Sequence, residues 1–149
     1  MTEPLPFAVA DTSVLLAAFN RRDNLHKEGV GVLTTARILV VSPLVLAELD
    51  YLLTAKAGET TAVQAAERIA ALASLGQVHI AHVDHGAIRE AADLLRRYQG
   101  QAIGLTDAVN AVLAWKLRSP VILSFDGHYR HTIGPRTAGE KHLEVLPQG

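Results

Sequence analysis

Apolar positions along this chain alternate between short continuous runs and stretches that recur with helical spacing. Phe7-Ala8-Val9-Ala10, Ile38-Leu39-Val40-Val41, Val78-His79-Ile80-Ala81 and Val121-Ile122-Leu123 are of strand length, and their β-branched content suits a buried pleated strand. Between them the 3.6-residue period predicts helices. Val14, Leu15, Ala18 and Phe19 mark the first, and Asn24 is a candidate cap for a second running to about Ala36. Ser42 followed by Pro43 is a strong start signal for a third, which ends at Gly58. Thr60 or Thr61 then starts a fourth, through about Leu75 to Gly76. Asp84 caps a fifth that Gly100 closes, and Thr106 caps a sixth, with Val109, Val112, Leu113 and Leu117 on one face, broken at Ser119-Pro120. Glu144-Val145-Leu146 predicts a last short strand, while the Gly-, His- and Arg-rich stretch from Gly127 to His142 reads as loop.

Runs of strand length separated by helices predict βαβ units. The expected fold is α/β: one domain over residues 1–149, with a mainly parallel sheet of four to five strands covered by helices on both faces. No repeat, linker or low-complexity tract divides it. In such sheets ligands bind beyond the carboxyl ends of the strands, so the chemistry is to be sought there.

Acidic residues stand at those ends. Asp11 follows the first strand and Asp126 lies just past the fourth, in Leu123-Ser124-Phe125-Asp126-Gly127. Asp107 sits at a helix start, on the same predicted rim. Glu48 lies within Leu44-Val45-Leu46-Ala47-Glu48-Leu49-Asp50-Tyr51-Leu52-Leu53, where Leu44, Val45 and Leu52 are its helical neighbours. A carboxylate on an apolar stripe is costly unless something pairs with it. Taken singly, each has a structural explanation: Asp11 and Asp107 as helix N-terminal acids, Asp126-Gly127 as a turn, Glu48 as half of an ion pair. Gathered on one rim, the four would repel one another until cations neutralised them. Oxygen donors without cysteine or a local His pair select Mg²⁺ or Mn²⁺, and the chemistry that fits is metal-assisted phosphodiester hydrolysis.

Composition narrows the alternatives. Lys and Arg number 14 against 15 Asp and Glu, which excludes a strongly basic nucleic-acid coat but not an enzyme with local positive groups. There is no cysteine, hence no disulfide scaffold, thiolate nucleophile or zinc–thiolate site. The first residues lack a basic start with a long apolar run, and no apolar run approaches the ~18 residues of a membrane span. A soluble, cytoplasmic protein is expected.

Val9-Ala10-Asp11-Thr12-Ser13, Ser42-Pro43-Leu44-Val45-Leu46-Ala47-Glu48-Leu49, Gly104-Leu105-Thr106-Asp107-Ala108 and Ser124-Phe125-Asp126, in this order and spacing, resemble a PIN domain, specifically a VapC-type toxin of a toxin–antitoxin pair. The resemblance covers nearly the whole chain. It implies that Asp11, Glu48 and Asp107 hold Mg²⁺ or Mn²⁺ with Asp126 in the first or second shell of ligands, and that Ser13, Thr106 and Ser124 orient carboxylates or waters. Asn110, one turn after Asp107, is placed to join them. It further implies cleavage of RNA by an endoribonuclease, a small antitoxin covering the site, and a homodimer, with apolar groove candidates among Leu15, Phe19, Leu52 and Leu53. The tail departs from the common pattern, in which an aromatic follows the last acid more tightly: here the segment is Gly127-His128-Tyr129-Arg130-His131.

Arg21, Arg22, Lys56, Arg130 and Arg136 are the candidates for substrate phosphates. Three Phe, three Tyr and one Trp are too few for an aromatic stacking platform. His79, His82 and His85 recur every three residues across a strand-to-helix transition and read as surface or structural residues; Trp115 reads as packed against a neighbouring helix. A haloacid-type phosphatase would need an acid at Ser13, a receiver domain a lysine near Ser124, and a metal-binding adhesion motif a serine at Leu15. A non-catalytic PIN-like binding domain remains the alternative to a nuclease.

Overall fold

The structure, a computed structural model, describes residues 3–148. Among these, five strands form one parallel sheet: β1 (Leu5–Ala10), β2 (Ala36–Val41), β3 (Val78–Ile80), β4 (Val121–Leu123) and β5 (Glu144–Leu146), in the order β3-β2-β1-β4-β5. Seven helices connect them: α1 (Thr12–Phe19), α2 (His26–Leu33), α3 (Pro43–Ala57), α4 (Glu59–Ser74), α5 (His85–Arg97), α6 (Leu105–Trp115) and α7 (His128–His131). The expected α/β sheet with helices on both faces is the architecture found.

Successive strand residues feed opposite faces, as the pleat requires. Val9 and Ile122 pack against Ala91, Leu94, Val109 and Val112 of α5 and α6. Ala10 and Val41 pack instead with Leu15, Leu49, Leu53 and Ile69 of α1, α3 and α4, and Ala8 and Leu123 with Val14 and Val32 of α1 and α2. Both faces are therefore covered over the carboxyl half of β1 and over β4, which explains why those strands read as continuous apolar runs rather than alternating ones.

Helix boundaries correct several expectations. Asn24 does not cap α2: Asp23 accepts from the Leu25 N–H, Leu25 is the cap position, and the helix stops at Leu33 because Ala36 is already paired in β2. Gly58, at φ +95°, ends α3 and begins α4 in one residue, so neither Thr60 nor Thr61 starts that helix. Gly104, not Thr106, caps α6. The tail read as loop contains the one-turn helix α7, too short to show a period. Ser42 and Asp84 cap as expected, accepting from Leu44 N–H and Ala87 N–H.

From β3, at one edge, the chain crosses back over β2 and β1 through α5 and α6 to place β4 on the far side of β1. The switch point therefore lies between β1 and β4. The ladder continues past both strand ends, with Asp11 N–H donating to Leu123 O and Ser124 N–H to Leu146 O, so Asp11 and Ser124 open side by side above it.

Candidate active site

Asp11 is the anchor of this rim. Only 4% exposed, it caps α1 and takes hydrogen bonds on both oxygens: Oδ2 from Ser13 Oγ (2.9 Å) and Ser124 Oγ (2.8 Å), Oδ1 from Asn110 Nδ2 (3.2 Å) and Tyr129 OH (3.1 Å). Three donors and a share of the Tyr129 proton surround one carboxylate, which is how a charge is kept in the interior without an ion pair. The serines also hold the loop after β4. Ser13 Oγ accepts from Phe125 N–H and Ser124 Oγ from Asp126 N–H, so the Asp126 backbone is fixed by a group already bonded to Asp11.

Tyr129 connects this anchor to the second acid. Its hydroxyl lies 3.1 Å from Asp11 Oδ1 and 3.2 Å from Asp107 Oδ1, and Asn110 Nδ2 donates to it at 3.0 Å. Burial, then the charges of Asp11 and Asp107, push the phenol well above its ordinary range, so it remains a donor. One proton serves two carboxylates, and at any instant one of them lacks it. Asp107, at the third position of α6, also accepts from Gly104 N–H through Oδ2 (3.3 Å). Burial raises its pKa, and the charges of Asp11 and Asp126 add to the rise against the partial relief of the Gly104 and Tyr129 bonds. Such a carboxyl, desolvated and next to like charges, calls for a cation.

Asp126 completes the cluster together with a residue that the sequence reading left out. Asp126 Oδ1 accepts from His128 N–H at 2.8 Å and lies 3.1 Å from His128 Nδ1, which is 3.5 Å from Asp107 Oδ2. One donor atom each from Asp107, Asp126 and His128 falls within 4.8 Å of the others. This donor set fits a small divalent cation. Two hard oxygens and a ring nitrogen converge, and the nitrogen is a buried polar atom with no hydrogen-bond partner.

Of the other site candidates, Ser13 and Ser124 orient a carboxylate, and Asn110, fully buried, joins them by donating to Asp11 and to Tyr129. Thr106 makes no hydrogen bond to the acids among the described residues; it occupies the first turn of α6 behind the Gly104 cap. Glu48 overturns the reasoning applied to it. It is exposed, without a polar contact among the described residues, because α3 buries Val45, Leu49 and Leu53, and Glu48 lies about 100° round the helix from Leu49. It stands in the second turn of α3, on the rim side of that helix, yet outside the cluster of Asp107, Asp126 and His128.

The basic candidates divide. Arg21, Arg22 and Lys56 line one cleft with Asn20, Thr61 and Gln64, at the ends of α1 and α3 remote from the rim, about 12 Å along α1 from Asp11. Arg130 is committed elsewhere, to the carbonyls of Val145 and Pro147, and Arg136 to Glu90, Glu140 and the face of Trp115. Neither is free to meet a phosphate. Trp115 packs at the edge of the α5–α6 core and donates to Lys141 O. His79, His82 and His85 are all exposed. The groove candidates Leu15 and Leu53 are core residues at 2% and 0% exposure; Phe19 and Leu52 are half-buried, and the large hydrophobic exposed beside them on α3 is Tyr51.

Tyr129 was missed as a functional residue because Asp11, Asp107 and Asn110 lie in distant parts of the chain, and His128 because its ring also reaches Asp107 on another helix. The one available signal was the aromatic expected after the last acid.

A parallel sheet whose switch point gathers buried and half-buried carboxylates defines an α/β domain with an acidic centre. This chain belongs to the PIN domain family, whose model matches residues 8–134. Ribonuclease VapC26 of Mycobacterium tuberculosis is 35% identical over 140 residues, 93% of this chain and 99% of that protein. The crystal structure of M. tuberculosis VapC20, described as a Sarcin-Ricin loop cleaving toxin, superposes with a TM-score of 0.70 at 24% identity, covering 80% of this chain and 90% of that one. A chain of VapBC2 from Rickettsia felis, solved bound to a DNA fragment from its promoter, superposes with a TM-score of 0.60 at 13% identity, covering 93% of this chain and 96% of that one. No helix among the described residues is long and apolar enough to cross a membrane.

Proposed function

We propose that this protein is a VapC-type endoribonuclease, dependent on Mg²⁺ or Mn²⁺, and the toxin of a toxin–antitoxin pair. The observation that carries the reading is the convergence of Asp107 and Asp126 beside Asp11, with Tyr129 bridging Asp11 to Asp107. Its likeness to a ribonuclease over nearly its full length supports the same conclusion.

Asp107 and Asp126 would hold the cation, with Asp11 behind them. Glu48 is the fourth carboxylate of the set, exposed and unbonded, so it is free to turn toward the rim from α3. When bound, the cation supplies Lewis-acid stabilisation of charge developing on phosphate oxygens. The chain's own groups do the rest. Ser13, Ser124 and Asn110 fix Asp11, Tyr129 keeps a proton between two carboxylates, and the rim would admit an RNA backbone, with Arg21, Arg22 and Lys56, at the far ends of α1 and α3, offering phosphate contacts only to RNA that extends beyond the rim. A small antitoxin covering this rim, a homodimer and a cytoplasmic setting belong to the same proposal; the antitoxin is supported by the likeness to a chain of the VapBC2 complex.

The test is cleavage of a structured RNA by purified protein, resolved on a denaturing gel. Cleavage is expected with Mn²⁺ or Mg²⁺, to stop with EDTA, and to be lost in Asp107→Asn. Cleavage that survives chelation, or an Asp107→Asn variant as active as wild type, overturns the reading.

A further inference from the structure

His128 belongs to none of the motifs that carry the family resemblance, yet its ring lies against both half-buried acids of the cluster. Resting on the metal-nuclease reading above, we infer that His128 Nδ1 is a nitrogen ligand of the cation centre and that it biases the centre toward Mn²⁺ over Mg²⁺.

Local structure places the ring there. Asp126 Oδ1 accepts the His128 backbone N–H at 2.8 Å, which turns the first residue of α7 back over the carboxylate it follows. Nδ1 then lies 3.1 Å from Asp126 Oδ1 and 3.5 Å from Asp107 Oδ2. At these distances an imidazole N–H aimed at either oxygen would be hydrogen-bonded. It is not: Nδ1 is a buried atom without a hydrogen-bond partner, although a third of the side chain is exposed. The ring is close to both carboxylates, yet its nitrogen is not aligned for a hydrogen bond with either.

That combination is what neighbouring ligands of one ion look like. With ligand distances of about 2.1 Å in octahedral coordination, adjacent donor atoms are about 3.0 Å apart and each lone pair points about 45° off the line joining them. A hydrogen bond so misaligned is weak. The chemistry of the donors sets the preference. Mg²⁺ takes oxygen ligands and parts with water reluctantly, whereas first-row transition ions accept imidazole. Arg130, the guanidinium two residues along α7 from His128, is bonded to the Val145 and Pro147 carbonyls.

The experiment uses Mn²⁺ itself as the probe. Metal-free wild type and His128→Gln, the latter checked for an unchanged melting transition, are titrated with Mn²⁺ by EPR, and Mg²⁺ affinity is read by displacement. Bound Mn²⁺ in the wild type should show the ¹⁴N modulation of a coordinated imidazole in pulsed EPR. In His128→Gln that modulation should vanish and Mn²⁺ affinity fall by about ten-fold or more, with Mg²⁺ affinity changed much less. Mn²⁺ bound by wild type without ¹⁴N coupling overturns the role of His128 and leaves the carboxylate centre standing. Tighter Mn²⁺ binding by His128→Gln overturns it too, making the ring a counter-ion that competes with the metal. No Mn²⁺ binding by the wild type removes both this inference and the metal-nuclease reading.

Discussion

At the scale of single residues, Asp11 and Asp107 are both acids of one site but sit in opposite environments. Asp11 is satisfied by three donors and a share of the Tyr129 proton, so replacing it with Asn would face an amide NH₂ with groups that now donate, at a cost of about 1–3 kcal/mol. Asp107 is the reverse case: its raised pKa means that the fold disfavours its charge, and the stability it contributes is present in acid and lost as pH rises through the folded value. Asp107→Asn should therefore abolish cleavage while leaving the melting temperature at pH 7 unchanged or higher, and scanning calorimetry of the two proteins checks it. Tyr129→Phe removes one hydroxyl from three partners. Its expected outcome is a stability loss of about 1–2 kcal/mol and RNA cleavage slowed on the order of ten-fold, read from urea unfolding and single-turnover kinetics. The acids themselves were visible in the sequence at the strand ends. Tyr129 and the importance of Asn110 were not, because each acts through partners 19 to 118 positions away, and neither was His128, whose ring reaches Asp107 on another helix.

At the scale of elements, close approach between helices explains a glycine that propensity alone would count against α2. A Cβ at Gly29 would stand 3.1 Å from Val14 O, Ala18 N and Ala17 Cβ of α1, mostly backbone that cannot swing aside, whereas one at Gly31 would meet nothing within 4 Å. Gly29→Ala should destabilise by about 1–3 kcal/mol through overpacking, and Gly31→Ala should stabilise by up to about 1 kcal/mol through helix propensity. Denaturant midpoints of the two variants should thus move in opposite directions. Caps were the least legible feature of the elements. Asn24, Thr60, Thr61 and Thr106 all have cap chemistry, but Leu25, Gly58 and Gly104 hold the positions, since neighbouring contacts settle which residue leaves helical geometry. The exposure of Glu48 was illegible for a related reason: α3 is apolar nearly all round, so its sequence does not say which face is buried.

At the scale of the whole molecule, the segment after α7 is clamped to the α5–α6 layer. Arg136 bonds Glu140 in a bidentate pair, reaches Glu90 of α5 and stacks over Trp115 of α6. The Arg136 side chain, aided by its backbone N–H, holds the Glu140 carboxyl below the ordinary glutamate range. A lowered folded pKa stabilises above the unfolded value, and that contribution is lost as pH falls through the folded one. Glu140→Gln should accordingly melt lower than wild type at pH 7, by the equivalent of about 1 kcal/mol, and the two melting curves should converge in acid. Equal melting temperatures at pH 7 would show that the clamp contributes nothing.

The one-dimensional pattern determined the alternation of short apolar strands with helices, the helix starts at Ser42 and Asp84, and the presence of acids where strands end. It could do so because strand and helix periods, proline and short polar caps are local properties of backbone sterics. Only the tertiary structure decided that β4 lies beside β1, that Tyr129 ties Asp11 to Asp107, that His128 closes on the acids, and that Arg130 and Arg136 are occupied. Those outcomes depend on which surfaces meet once the chain crosses back over its sheet, and long-range packing of this kind leaves no period in the sequence.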